Sequence, residues 1–513
     1  MLDLALGWVV ILQYYYRSSK ESTVLKAHTE ISQLEPQAIW KFFDQICAIP
    51  HPSKHEEALA SFIVDWAKSK NLDVRRDETG NVFIKKPATS GMENRKPVVL
   101  QAHIDMVPQK NDDTAHDFVT DPIKPYVDNG WVTATGTTLG ADNGIGMASC
   151  LAVLDADDIK HGPLEVLLTV DEEAGMSGAF GLQSGWLDGE ILLNTDSEQE
   201  GEIYMGCAGG VDASLTLQLS REALPKHHKI FELSLKGLRG GHSGVDIHTG
   251  RANANKLLAR FLKHHIADFD LRLIEIRGGS LRNAIPREAY AVISFNEAKI
   301  SEFQTLIETY ETIIKQELCA IETGITFALS TSTSTTLPMS QASKSKVLAL
   351  LNACPNGVVR MSDDIPGVVE TSLNMGVIST TDNSLEVLCL IRSLIDSGRS
   401  DVEGMLCSLA ELTKADIEFS GAYPGWKPDP SSEVLAIFRD MYESIYGEKP
   451  HIMVIHAGLE CGLFKEPYPN MDMISFGPTI KFPHSPEEKV EISSVGLYWQ
   501  QMKGILENIP EKQ

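Results

Sequence analysis

The chain has 513 residues, too many for one compact core, so two or three domains are expected. Its 43% hydrophobic and 22% charged residues are those of an ordinary soluble protein, and a net charge of −25 disfavours nucleic acid, whose phosphates need a basic face. Eight cysteines (Cys47, Cys150, Cys207, Cys319, Cys354, Cys389, Cys407 and Cys461) are scattered without a CxxC pair, which excludes a disulfide framework or zinc ribbon and suits a reducing compartment. Cys207 and Cys461 lie near motifs described below and read as small buried hydrophobes.

The apolar stretch from Leu4 to Tyr16 is too short for a membrane span and has Asp3 in place of a basic n-region, so residues 1–24 are expected to be an appended extension rather than a signal peptide. No other segment is long and apolar enough to span a bilayer; no membrane partner is expected, and the cytoplasm is the default. PQAIWKFFDQICAI and HEEALASFIVDWAKSKN carry apolar residues at helical spacing. DVRRDETGNVFIKKP predicts a hairpin turning at Thr79-Gly80-Asn81. KPVVLQAHIDMVP then gives a short strand, Val98 to Ala102, running into His103 and Asp105. Two residues apart on extended chain, these project to one side. A metal-binding imidazole usually has its other nitrogen held by a carboxylate or carbonyl, so the pair can supply a ligand and the group that organises it.

GTTLGADNGIGMASCLAVL, residues 136–154, predicts a glycine-rich loop entering a helix. Asp142 and Asn143 fall where an N-cap is wanted, so capping is one reading for either. The acid inside the loop and the absence of GK[ST] argue against phosphate binding. PLEVLLTV predicts a buried strand, and Asp171 to Gly175 the loop leaving it, with Glu172 and Glu173 side by side. Ile191 to Leu193 predicts another strand, ending in Asp196. Three strands each deliver acids or His at their ends, and Asp142 adds a fourth carboxylate. Strands alternating with helices predict an α/β sheet, whose sites lie beyond the carboxyl ends of its strands.

After Gly210 the pattern changes to alternating strands separated by helices, an α+β insertion of about 200 residues whose two halves suggest a duplication. The last 100 residues return to helix–strand alternation and end in DMISFGPTIKFPHSP, where a proline-bounded loop carries His484.

QAHIDMVP, GTTLGADNGIGMA, DEEAG, NTDSEQEGEIYMGCAGG, GGHSGVDIHTGRANANKL, GGSLRNAIPRE, HAGLECGLF and GPTIKFPHSP, in this order, resemble the M20 metallopeptidase family over nearly all of residues 30–511. The resemblance implies a zinc-exopeptidase-type catalytic domain, a mixed sheet flanked by helices, formed by residues 25–209 and 409–513, with an α+β lid inserted at 210–408. It implies two Zn²⁺ per subunit (Co²⁺ or Mn²⁺ as substitutes) held by His103, Asp142, Glu173, Asp196 and His484, with Asp142 bridging. Glu172 matches the general base and Asp105 the acid that orients His103. His242 matches an oxyanion donor on the lid, while Asn283, Arg392 and Gly458 match residues that hold the substrate, the Arg suiting a C-terminal carboxylate. The implied activity is hydrolysis of dipeptides, Xaa-His among them; the alternative in the same fold is a deacylase acting on N-acyl amino acids. A small peptide is thus the expected partner. A homodimer is compatible but not required, since a lid this large could supply His242 within its own chain.

Overall fold

The computed structural model describes residues 30–111 and 113–512, so the apolar N-terminal stretch and its reading as an extension lie outside the described residues. The chain divides into two compact units. The first comprises the described residues up to Glu202 with Ala436–Pro450 and the chain from Ser475 onward; the second comprises Ile203–Leu435 and His451–Ile474.

Within the first unit, five strands run in the order Asp73–Arg76, Val82–Lys86, Leu164–Thr169, Val98–His103, Ile191–Asn194. The first two form the hairpin expected at residues 73–86, and its turn is made by the Asp77 carboxylate, whose Oδ1 accepts the N–H groups of Thr79, Gly80 and Asn81 at 3.0, 2.9 and 2.9 Å. The last three are mutually parallel and buried along their whole length, which is why they read as unbroken apolar runs. Their register aligns His103 with Thr169 and Gln101 with Asn194, so the residues following each strand emerge at one edge. The predicted helices form as Gln37–Cys47, Glu57–Ser69 and Ala141–Asp155, and Phe43 packs so closely on Gly144 that a Cβ there would lie 2.8 Å from its ring.

A small antiparallel sheet in the same unit, which the sequence pattern did not reveal, runs Ile480–Lys481, Lys489–Glu491, Trp131–Ala134, Pro125–Asp128. Ile480 pairs with Val490 and Lys481 with Lys489, so the proline-bounded loop of His484 is the tip of a hairpin. Both Phe482 and His484 take positive φ there, 56° and 59°.

The second unit holds a nine-stranded antiparallel sheet backed by helices. His228–Lys236, helix Ala254–His265, Arg272–Gly278, Ala289–Asn296, helix Ile300–Glu317 and Thr326–Thr331 form a βαββαβ set. Numbered within the set, its strands lie in the order four, one, three, two. Gly209–Gln218, helix Gln341–Ala353, Val369–Thr380, Ser384–Ser393, helix Asp396–Thr413 and Asp416–Tyr423 repeat that connectivity and spatial order, with Gly357–Met361 as an added edge strand. The suspected duplication is therefore present, but its halves are not consecutive: the first set sits inside the first connection of the second. The two meet at Gly278 opposite Ile378, reinforced by Thr380 Oγ1, which accepts from Ile276 N at 3.1 Å and donates to its carbonyl at 2.6 Å. Alternate strand residues such as Leu215, Leu217, Leu233 and Leu235 meet the apolar stripes of the helices in one core. Cys207 and Cys461 are both fully buried, as their reading requires, and burial pushes the Cys207 thiol up to about 11.

Phe261, fully buried, stacks edge-on or tilted against Tyr310 and Phe327 at 5.0 and 4.8 Å. Phe261→Ala is expected to destabilise this unit by roughly 3–5 kcal/mol, read as a lower guanidinium midpoint of its unfolding transition; a shift under about 1 kcal/mol would show that the aromatic cluster is not central to the core.

Candidate active site

In the first unit, His103, Asp105, Asp142, Glu172, Glu173, Asp196 and His484 come together at the edge where the parallel strands end. Their ligand atoms form three sets, each within 4.8 Å: His103, Asp142 and Asp196; Asp142, Glu173 and His484; and His103, Glu172 and Glu173. His103 Nε2 lies 3.3 Å from Asp142 Oδ1 and 3.2 Å from Asp196 Oδ1. His484 Nε2 lies 3.2 Å from Asp142 Oδ2 and 3.0 Å from Glu173 Oε1. Asp142 thus offers one oxygen to each imidazole. His103 is 1% exposed at its side chain whereas His484, on the hairpin tip, is 50% exposed.

Asp105 does more than orient His103. Its backbone carbonyl takes His103 Nδ1 at 2.9 Å, closer than its carboxylate at 3.4 Å. The carboxylate accepts Glu172 N at 2.9 Å, Glu173 N at 3.1 Å and the Ser53 hydroxyl at 2.8 Å. That anchoring winds Glu172–Gly175 into one helical turn where the sequence predicts a loop, because the carboxylate satisfies the N–H groups that open the turn.

Neither Asp142 nor Asn143 caps the helix. Gly140, in the left-handed region at φ 72°, opens the first turn, the backbone leaves helical geometry at Asp142 and Asn143 before the helix continues, and the N–H groups of residues 139–142 go to Glu488. The Asp142–Asn143 peptide is cis. Asn143 Nδ2 donates to Asp196 Oδ1, and a Cβ on Gly146 would collide with Asn143 Oδ1 and Thr195 Oγ1, so the motif glycine admits this close approach.

Electrostatically the cluster is strained towards negative charge. Burial alone would lower the His103 imidazole, but the Asp196 charge and bonds to Asp105 and Asp142 hold it well above its ordinary value. Asp142 is held below the usual range, its bonds to both imidazoles outweighing burial. Burial and the neighbouring Asp142 charge raise Glu173 and Asp196. Glu198, whose ordinary range is near 4.5, is pushed up to about 9 by burial and by Asp142 and Asp196. Buried carboxylates whose charges oppose one another, set between two imidazoles, form a donor set that fits a divalent cation. With oxygen and imidazole donors and no thiolate, the set suits Zn²⁺, Co²⁺ or Mn²⁺.

His242, Asn283, Arg392 and Gly458 all belong to the second unit. His242 lies in the two-residue strand Gly241–His242 opposite Ala284–Ile285. Gly244 N and Val245 N both donate to its Nδ1 at 3.2 Å, which leaves the ring proton on Nε2. Burial and the Arg392 charge lower its pKa to about 4. Asn283 holds Ser243 N with its carbonyl at 2.8 Å and leaves its side chain exposed. Arg392 is 6% exposed, bonded through Nη1 to Tyr423 Oη at 3.1 Å, while its buried Nε has no protein acceptor. A Cβ on Gly458 would meet the Tyr423 ring at 3.2 Å. Beside them His456, bonded to Ser372 Oγ at 2.7 Å, is lowered to about 3 by burial and Arg392.

Sequence reasoning missed Glu198, Glu488, Tyr423 and His456. Glu198 had a signal, the same two-residue spacing from Asp196 that pairs His103 with Asp105. Glu488 had none, since its partners are main-chain groups 346 to 349 positions away.

Residues 99–508 match the sequence profile of peptidase family M20/M25/M40. The chain belongs to that family, and it is an enzyme of the peptidase class. Among its relatives, the cytosol non-specific dipeptidase of Escherichia coli is 58% identical over 484 residues, covering 94% of this chain and 100% of that one. The crystal structure of aminoacylhistidine dipeptidase from Vibrio alginolyticus superposes with a TM-score of 0.87 at 67% identity, covering 95% of this chain and 99% of that one. An aminopeptidase from Bacillus cereus, 16% identical with a TM-score of 0.54 over 93% of this chain and 99% of that one, shares the fold.

The lowered His242 value means that its ring is neutral above about pH 4. Its ring resonances, assigned by comparison with His242→Gln, are expected to stay constant from pH 5.5 to 8; a titration midpoint near 6.5 would show that Nδ1 is not held by the two backbone donors.

Proposed function

We propose that this protein is a metal-dependent dipeptidase of the cytoplasm, hydrolysing the single peptide bond of dipeptides, Xaa-His among them. The observation that carries the reading is the pair of ligand sets joined at Asp142: His103 with Asp196 on one side, Glu173 with His484 on the other, each within 4.8 Å. His103, Asp142, Asp196, Glu173 and His484 would hold two divalent cations, Zn²⁺ in the first instance. When bound, they supply Lewis acidity towards a water and the scissile carbonyl. The two named dipeptidases, at 58% and 67% identity over almost the whole chain, support the substrate class, and the word cytosol in the name of the E. coli relative supports the compartment. Among the described residues no helix is long and apolar enough to cross a membrane.

Glu172 is proposed as the general base. It removes a proton from the attacking water, the new C–O bond forms as the carbonyl π pair moves to oxygen, and Glu172 then delivers that proton to the amine as the C–N bond breaks. Its backbone N–H is fixed by the Asp105 carboxylate, while the Asp105 carbonyl holds the His103 ring, so base and ligand are set by one residue. His242, neutral with its proton on Nε2, is suited to donate to the oxyanion without bringing a charge of its own. Arg392, buried without an acidic partner among the described ion pairs, suits the substrate's C-terminal carboxylate, with Asn283 and the Gly458 backbone assigned to the same end.

Removal of metal with a chelator is expected to abolish dipeptide hydrolysis, with recovery on adding Zn²⁺ or Co²⁺; failure to recover would sink the metal reading. A panel of dipeptides, tripeptides and N-acetyl amino acids run on the reconstituted enzyme should show dipeptides cleaved fastest, and faster cleavage of the N-acetyl compounds would replace this reading with a deacylase. Glu172→Gln is expected to keep its metal content while losing roughly 10²–10⁴-fold in kcat. Near-normal turnover in that variant would remove Glu172 from the role of base.

A further inference from the structure

Glu488 is 2% exposed, and its described hydrogen-bond donors are all main-chain N–H groups. Oε2 accepts Leu139 N at 2.8 Å and Gly140 N at 3.0 Å; Oε1 accepts Ala141 N at 2.8 Å and Asp142 N at 3.2 Å. Four consecutive donors therefore converge on one carboxylate just ahead of the kink at Asp142 and Asn143, where the backbone leaves helical geometry before the helix runs on to Asp155. Glu488 itself sits at the base of the hairpin whose tip bears His484. Its own N–H donates to Ser485 O at 3.0 Å, and its carbonyl accepts the Thr133 hydroxyl at 2.8 Å, so the backbone on either side of the carboxylate is held as well.

An acid in Asp142's position would ordinarily turn back to cap its own helix. Here a distant carboxylate takes the N–H groups of the four residues leading up to that position, Asp142's own included. Asp142 is left to turn outward, one oxygen towards His103 and the other towards His484.

We propose that Glu488 is a positioning residue for the metal centre: it staples the His484 hairpin to the backbone carrying Asp142, fixing the two ligands at the spacing a shared cation pair requires. The proposal rests on the metal-dependent reading above and adds to it a residue that touches neither metal nor substrate. The carboxylate is specifically needed. Glutamine keeps the size but offers one acceptor oxygen, and its NH₂ would face two of the four N–H groups donor to donor.

The test compares wild type with Glu488→Gln and Glu488→Asp. Far-UV circular dichroism and thermal midpoints are measured metal-free. Co²⁺ affinity is measured by chelator competition, and the visible spectrum of bound Co²⁺ is recorded. Glu488→Gln is expected to fold and to bind Co²⁺ about 10–100-fold more weakly, with an altered visible band and a kcat deficit that persists at saturating metal. Glu488→Asp keeps the charge but shortens the reach and should fall between the two. If Glu488→Gln does not fold, the Asp variant carries the same comparison. A folded Gln or Asp variant with Co²⁺ affinity within about threefold of wild type and an unchanged spectrum would overturn the proposal. So would a thermal midpoint lowered equally with and without Co²⁺ at unchanged affinity, the result of a merely structural role. Wild-type protein that binds no Co²⁺ would instead overturn the metal reading itself, and this proposal with it.

Discussion

Asp142 stands between His103 and His484, with an oxygen 3.3 Å from the first and 3.2 Å from the second, and the arrangement of the site follows from that sharing. A carboxylate so placed is stabilised in its charged form by both imidazoles, yet its charge raises Glu173, Asp196 and Glu198 around it. Acids that oppose one another in a dry pocket are costly unless something positive completes them. The imidazoles do so in part, and a bound divalent cation would add to it.

Holding these groups is the work of two other buried carboxylates, both used as acceptors for main-chain N–H groups. Asp105 anchors the turn that carries Glu172 and Glu173, and Glu488 anchors the start of the helix that carries Asp142. Each takes a loop that the strand ends leave free and gives it a fixed origin. The second unit uses the converse device: two backbone N–H groups hold the His242 Nδ1, making the imidazole a neutral donor, while Arg392 stays buried beside Tyr423 and His456. That unit frames these residues with two βαββαβ sets of identical strand order, one nested in the other, which places Arg392 directly across from Ser372 in neighbouring strands.

Much of this was legible in the chain. The three parallel strands announced themselves as apolar runs because they are buried on both faces, and the acids and histidine at their ends marked the edge where a site belongs. The five residues named as ligands could be picked out because each stands at a strand end or in a glycine- or proline-marked loop, and folding brings their ligand atoms together. The helical turn at Glu172 was not legible: its first N–H groups are satisfied by Asp105, 67 and 68 positions earlier, so the local sequence carries only loop signals. The duplication could only be suspected, because nesting separates the strand Gly209–Gln218 from its own helix by the entire other set.

What the sequence determined by itself was therefore chemical identity and local form: which side chains could bind a cation or move a proton, and which stretches were strand or helix. Those depend on residue type and on neighbours within a few positions. What only the tertiary structure decided was assignment among equivalent candidates. Asp142 could have capped its helix or faced the imidazoles, and Asp105 could have held only His103. Around both, the carboxylates of Glu488 and Asp105 take backbone donors that carry no residue-specific signal, brought within 3.2 Å by folding. A main-chain N–H is the same at every non-proline position, so its choice of partner is written in the packing and not in the letters.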